Sequence, residues 1–310
     1  MKYGLIAVAV FFAGCGADLG ETEIGVPLNF IEVFSQEFDE AEGTPIDTSV
    51  WNFDIGNGPN NSGWGNNEQQ YYTDSTDNIA HDGNGNLRIR ALEVEFQEQF
   101  NFSRYTSARV TTLGKFDQRF GRFEASMKMP TGQGLWPAFW MLGADFPDVG
   151  WPLTGEIDVI EYSGNEPTSV SGALHGPGFN GGAAILSKYN REVAPEEGDT
   201  ELVRWDQGFH VYAVEWEPTR ITWSVDNEVY FSITSSEVQA ISAANCETGV
   251  VSASECSTFS LRERWPFDDP FFLLLNLAVG GSFVQNVVPE SGVLPEDLLI
   301  DYIRVYERVD

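Results

Sequence analysis

An all-β fold, a two-sheet jelly-roll sandwich, is what this 310-residue chain predicts, and three features carry the expectation. Short segments recur in which aromatic and β-branched residues fall at period two, the pattern of strands that bury one face. Gly, Asn, Asp and Pro punctuate the gaps between them. Helical periodicity is nearly absent. With 42% hydrophobic and 13% aromatic residues the chain can bury a large core. Many short strands in one large domain mean a sandwich or a barrel, and at this size two sheets are the better match.

The elements run in chain order. Residues 1–14 read as a secretory signal: one lysine, an apolar run from Leu5 to Phe12, then small residues. The run is too short to stay in a bilayer as a spanning helix. Phe12-Ala13-Gly14-Cys15 resembles a bacterial lipobox, so Cys15 is expected to become the lipidated first residue of an exported lipoprotein held at the cell envelope or surface, and otherwise the protein is secreted. A polar tether, 15–27, then leads into one domain, 28–310, with neither an internal repeat nor an interdomain linker. Strands are expected at LRIRALEVEF (87–96), FGRFEASMKM (120–129), HVYAVEW (210–216), RITWSVD (220–226), EVYFSI (228–233), FFLLLNLAV (271–279) and IDYIRVYE (300–307). DNEV between two of these reads as a tight hairpin, and a helical turn is expected within 235–245. Cys246 and Cys256 lie in a Ser/Ala/Gly-rich segment of an exported chain, which favours a disulfide closing a surface loop over a metal site, since no histidine is near.

Charge narrows the partners. With 17 basic against 47 acidic residues the formal net charge is −30, which repels nucleic acid and anionic membranes. Membrane contact is therefore expected only through a lipid on Cys15. Most of this acidity reads as a solvated surface that keeps the protein soluble.

One acidic stretch does not read that way. GEIDVIEYSG (155–164) places Glu156, Asp158 and Glu161 in what is otherwise a buried strand. Residues two apart share a strand face, so Glu156 and Asp158 point together, while Glu161 has the wrong parity. A single β-bulge between Asp158 and Glu161 restores it, with Ile157 and Val159 turned to the core. Three like charges lining one face are costly without a purpose. Glycoside hydrolysis supplies one: two carboxyls flank the scissile bond, one protonated and one ionised, about 5 to 5.5 Å apart in a retaining enzyme. Nearby like charges raise a pKa, and the central Asp158 is placed to tune both neighbours.

GEIDVIE resembles the E-x-D-x-x-E signature of glycoside hydrolase family 16. GWGNNEQQYYT (63–73), FGRFEASMKMP (120–130), GLWPAFWMLG (134–143), ALHGPG (173–178), FHVYAVEW (209–216), LLNLAVGG (274–281) and IDYIRVYE (300–307) occur in that family's order. The likeness runs from about Asn29 to Asp310 and is strongest to the laminarinases, which cleave β-1,3-glucan. The resemblance implies a concanavalin-like jelly roll with a substrate cleft on its concave face. It implies Glu156 as nucleophile, Glu161 as general acid and base, and Asp158 as the residue that holds and tunes them, with no cofactor for catalysis. Trp136 and Trp140 match tryptophans that meet sugar rings, and their spacing puts both on one strand face. Asn57, Arg109, His175 and Asn276 fall near positions that contact sugar or the acids. A structural calcium, where present, would use Asp301 and the carbonyls of Glu37 and Gly85, hard oxygen ligands that suit this ion.

The partner so implied is a neutral β-glucan polysaccharide met by a monomer. Between Trp136 and Gly181 there is no Lys or Arg to meet a sulfated galactan. The same fold also serves agarases and carrageenases, glucan transglycosylases and non-catalytic β-glucan-binding proteins. VFSQEFDE near the start and SFVQN after Gly281 depart from the family pattern, and the segment Cys246 to Glu263 looks inserted.

Overall fold

Alternation along each strand decides which side chains meet between two sheets. The computed structural model describes residues 29–98, 101–193, 201–252, 256 and 265–309; the expected signal, Cys15 and the tether lie outside these residues. One sheet has ten strands. Its order across the sheet is Glu228–Thr234, Arg220–Val225, His210–Glu217, Gly121–Lys128, Glu296–Arg308, Leu87–Glu98, Asn101–Ser107 and Gln70–Tyr72, with Phe30–Gln36 added on Glu296–Arg308 and Ile79–His81 on Leu87–Glu98. The other has seven: Ile185–Tyr189, Val170–His175, Glu156–Tyr162, Leu135–Gly143, Phe271–Val279, Arg109–Thr111 and Asn52–Phe53. All but one of the pairings within these sheets are antiparallel; Gln70–Tyr72 runs parallel to Asn101–Ser107. The expected jelly-roll sandwich is what forms.

The core lies between the inner faces. Phe139, Met141, Ile157, Leu273 and Leu275 of the seven-stranded sheet join one buried cluster with Phe123, Met127, Val214, Trp216 and Ile303 of the ten-stranded one. FFLLLNLAV is apolar at nearly every position for a second reason: a smaller cluster of Leu142, Phe272 and Leu274, packed against Leu113 and Trp140, covers the other side of this strand. The DNEV hairpin turns through Asp226 and Asn227, at φ +50° and +63°, the left-handed pair that a type I′ turn requires.

The expected helical turn is a full helix, Ser235–Thr248. Thr234 and Glu237 form a reciprocal capping box, Thr234 Oγ1 accepting from the Glu237 N–H while the Glu237 carboxylate accepts from the Thr234 N–H. The apolar period is weak because only Val238 and Ser242 are buried. Polar bonds dock the helix instead: Ser242 Oγ donates to the Pro177 carbonyl at 2.8 Å and Asn245 Nδ2 to the Gly178 carbonyl at 2.9 Å. Cys246, in its last turn, is bonded to Cys256 with Cα atoms 5.7 Å apart. The expected disulfide thus forms, closing the segment between the two cysteines onto the end of the helix.

Candidate active site

The acid strand Glu156–Tyr162 lies between Val170–His175 and Leu135–Gly143. On one side Glu156 faces His175 and Asp158 faces Ala173, after which Glu161 faces Ser171; on the other, Asp158 faces Trp140 and Glu161 faces Ala138. Three steps along the acid strand match two on each neighbour. This is the bulge that parity demands, and it returns Glu161 to the face of Glu156 and Asp158 while Ile157, Val159 and Ile160 are all buried. The opposite sheet braces it. Trp223 Nε1 donates to the Asp158 carbonyl at 2.8 Å, and a Cβ at Gly172 would lie 2.4 Å from the Trp223 ring, so the strand beside the bulge needs glycine there.

Each glutamate is held by one indole. Trp151 Nε1 donates to Glu156 Oε2 at 2.9 Å, and Trp136 Nε1 donates to Glu161 Oε1 at 3.1 Å. Asp158 sits between them, and its Oδ2 is buried without a hydrogen-bond partner among the described residues. His175 Nε2 approaches it at 3.4 Å and Glu156 Oε1 at 3.6 Å. Burial, and then the Asp158 charge, push the pKa of both glutamates up; His175 opposes this at each, as does the N–H of the indole that each one holds. The two titrate together, so the proton retained above the ordinary carboxylate range belongs to the pair.

Burial disfavours charge on His175, but Glu156 and then Asp158 outweigh it and draw its pKa up. The Gly181 N–H lies 3.2 Å from His175 Nδ1, which leaves Nε2 as the nitrogen that faces the acids. Glu156, Asp158 and His175 offer ligand atoms within 4.8 Å of one another.

A wall of aromatic and amide groups extends from the acids across the same face. Trp140 Nε1 donates to Asn276 Oδ1 at 2.8 Å, and Asn276 faces Arg109 in the next strand. The Arg109 guanidinium lies between the rings of Trp64 and Trp140, 4.6 and 4.7 Å from their centroids, and its Nε is 2.9 Å from Asp54 Oδ2. Asn57 enters through its backbone, its carbonyl accepting from the Gly63 and Trp64 N–H groups. Trp136 stacks on Phe283, with centroids 4.9 Å apart.

The structure thus brings Glu156, Asp158, Glu161, Trp136, Trp140, His175, Asn276 and Arg109 to one face, with Asn57 in the loop beside it. Glu37, Gly85 and Asp301 lie elsewhere: Glu37 pairs with Arg304 at 2.8 Å through both carboxylate oxygens, and Gly85 turns at φ +86°. Burial raises the Asp301 pKa, and the charges of Glu37 and Asp39 add to it.

Sequence reasoning missed Trp64, Glu68, Trp151 and Phe283. Trp64 and Glu68 stand inside the quoted block GWGNNEQQYYT, and Trp151 is a loop tryptophan five residues before Glu156; an aromatic between Gly and Pro just ahead of an acid strand was the available signal. It missed Lys188 as well, a cation two strands from the acids, neutralised by Glu166 at 2.6 Å.

Comparison with known proteins agrees with this geometry. The sequence model described as glycosyl hydrolases family 16 matches residues 66–258. A Niallia circulans protein named glucan endo-1,3-beta-glucosidase A1 is 36% identical over 87% of this chain, which spans 37% of that protein's length. A Rhodothermus marinus beta-glucanase is 36% identical over 90% of this chain and 85% of its own. The laminarinase catalytic domain of Thermotoga maritima superposes with a TM-score of 0.73 at 38% identity, covering 91% of this chain and all of that one. With its bulged acid strand, its two-sheet frame and a sequence match over most of the domain, the chain belongs to glycosyl hydrolase family 16.

Proposed function

We infer that the protein is a retaining, endo-acting hydrolase of β-1,3-glucan. The observation that carries this reading is the placement of Glu156, Asp158 and Glu161 on one strand face, each glutamate held by a separate indole N–H. Glu161, carrying the shared proton, gives it to the glycosidic oxygen as the bond to the anomeric carbon breaks. Glu156 attacks that carbon from the opposite side and forms a glycosyl ester. Glu161, now ionised, takes a proton from water, whose oxygen displaces Glu156 and leaves the product with its original β configuration. Trp151 and His175 favour the ionised nucleophile. Burial and the charge of Asp158 raise both carboxyls, so the pair holds a proton into the neutral range, and the reaction assigns it to Glu161.

The substrate class rests on the wall and on the relatives. Indole faces and amides suit a neutral sugar ring, while Arg109 and Lys188 already have carboxylate partners. The names of the Niallia circulans and Thermotoga maritima proteins support β-1,3-glucan and internal cleavage. Initial rates on laminarin, lichenan, agarose and κ-carrageenan, with product sizing and proton NMR of the first products, test this. Long early products in the β configuration, formed fastest from laminarin, are expected. Faster cleavage of either galactan, or an initial α-anomer, would reject the reading.

The remaining proposals concern the frame. Glu37, Asp39, Gly85 and Asp301 form an oxygen-rich neighbourhood in which a hard cation would relieve repulsion among the acids, so a structural calcium held by Asp301 with the carbonyls of Glu37 and Gly85 fits. A melting temperature unmoved by chelator would count against it. Cys15 is proposed to carry lipid and hold a monomeric enzyme at the cell envelope. Undiminished membrane fractionation of Cys15→Ser would reject the anchor, and a dimer mass in solution the monomer.

A further inference from the structure

Glu68 is a buried carboxylate for which the reaction has no direct use, and every group at its oxygens is a donor. Gln70 Nε2 reaches Oε2 at 2.7 Å, Tyr72 Oη reaches Oε2 at 3.1 Å, and Asn66 Nδ2 reaches Oε1 at 3.3 Å. The Gln70 amide cannot turn round, because its Oε1 already accepts the Val279 N–H at 2.7 Å. Burial outweighs Arg109 and the donors and leaves the Glu68 pKa raised, so its role as acceptor rests on geometry, with the Gln70 amide fixed as a donor to Oε2.

An acceptor at one end gives a hydrogen-bond chain a direction. Tyr72, fully buried, donates to Glu68, so what its oxygen can offer the neighbouring Asn276 side chain is a lone pair. Asn276 in turn receives Trp140 Nε1 at Oδ1, which leaves its N–H groups as what it can present to Tyr72. Reversing any link would set two donors or two acceptors against each other. The same carboxylate also bonds the side chain of Asn66, at the end of a loop in which Asn60, Asn61, Trp64 and Asn67 all hold positive φ. That loop sets Trp64 over Arg109, whose charge Glu68 faces.

We propose that Glu68 is a positioning residue for the sugar-binding wall: its carboxylate sets the direction of the Tyr72–Asn276–Trp140 chain and anchors the loop that places Trp64 on Arg109. That the wall receives glucose units rests on the function proposed above. The test therefore has one arm without substrate.

The variants are Glu68→Gln, which can donate where the carboxylate only accepts, and Tyr72→Phe, which cuts the chain and leaves Glu68 beside Arg109. In the free proteins, the Trp140 indole N–H resonance, assigned by its loss in Trp140→Phe, is expected to shift in both. On laminarin, each should raise KM about five- to tenfold, with kcat within about twofold of wild type, the size of one or two hydrogen bonds. The double variant should be no worse than the poorer single one, because both cut one chain. An unmoved Trp140 resonance, or a kcat loss at constant KM, would overturn the proposal. So would a fall in melting temperature with no kinetic change. Wild-type protein inert on laminarin would instead reject the substrate reading, while the resonance still decides the role of Glu68. Should Glu68→Gln not fold, Tyr72→Phe alone carries both readouts.

Discussion

The two sheets bury charge in opposite ways. In the ten-stranded sheet, Arg122 and Glu124, each 4% exposed, pair at 2.7 Å, and their remaining capacity goes to Glu215, Asn227 and Tyr306. In the seven-stranded sheet, Asp158 and Glu161 are also buried, at 3% and 8%, yet among the described residues neither pairs with a lysine or arginine. Indoles and one imidazole are their neighbours. A buried pair satisfies itself and does nothing further. Buried acids left with indoles and an imidazole keep perturbed proton affinities that chemistry can use.

Breaking each arrangement should therefore have opposite consequences. Glu156→Gln and Glu161→Gln are expected to lower turnover by about 10²- to 10⁴-fold or more, since each group acts at the transition state. Melting temperature should hold or rise, because a like charge leaves the cluster. Steady-state kinetics with a thermal melt on the same samples checks both, and near wild-type turnover in either variant would remove that residue from the mechanism. Arg122→Met is the mirror image. It strands Glu124 without its cation and should cost about 3 to 5 kcal/mol in urea unfolding, while kcat per folded molecule stays unchanged.

Smaller changes sharpen the contrast through pH. Trp151→Phe removes a hydrogen bond to a charged carboxylate, worth about 1.5 to 3 kcal/mol, or about 10- to 150-fold in kcat/KM. The lost N–H favoured ionised Glu156, so the pKa of that group rises and the acidic limb of the profile moves to higher pH. Asp158→Asn acts on the other limb. Removing the charge that raises Glu161 lowers its pKa, the acid loses its proton sooner, and the alkaline limb should move down by about one unit. Profiles of kcat/KM against pH distinguish the two, and limbs moving in the reverse senses would refute these assignments.

Much of this was legible before any coordinates. Period-two alternation found the long strands because each buries one face. Parity alone required the bulge, since Glu161 could not otherwise join Glu156. The helix at Ser235–Thr248 has no apolar stripe, so periodicity yields only a turn there, whereas Thr234 and Glu237 carry the capping-box signal and docking is through Ser242 and Asn245. Trp151 and Glu68 were illegible for another reason. Their roles depend on which oxygen a neighbour donates to, and that is decided by chain segments far apart, as when Val279 orients Gln70.

The order of the strands has a consequence for how the chain reaches this state. Phe271–Val279 sits between Leu135–Gly143 and Arg109–Thr111, and Glu296–Arg308 sits between Gly121–Lys128 and Leu87–Glu98. The last two long strands of this domain in chain order are thus interior strands, one in each sheet. Until they arrive, each sheet is split into two halves with open edges, and closing them joins residues more than a hundred positions apart. Such topology makes folding slow and largely post-translational. A ribosome-bound chain ending before residue 271 should thus remain protease-sensitive throughout, with no stable half-domain to protect it.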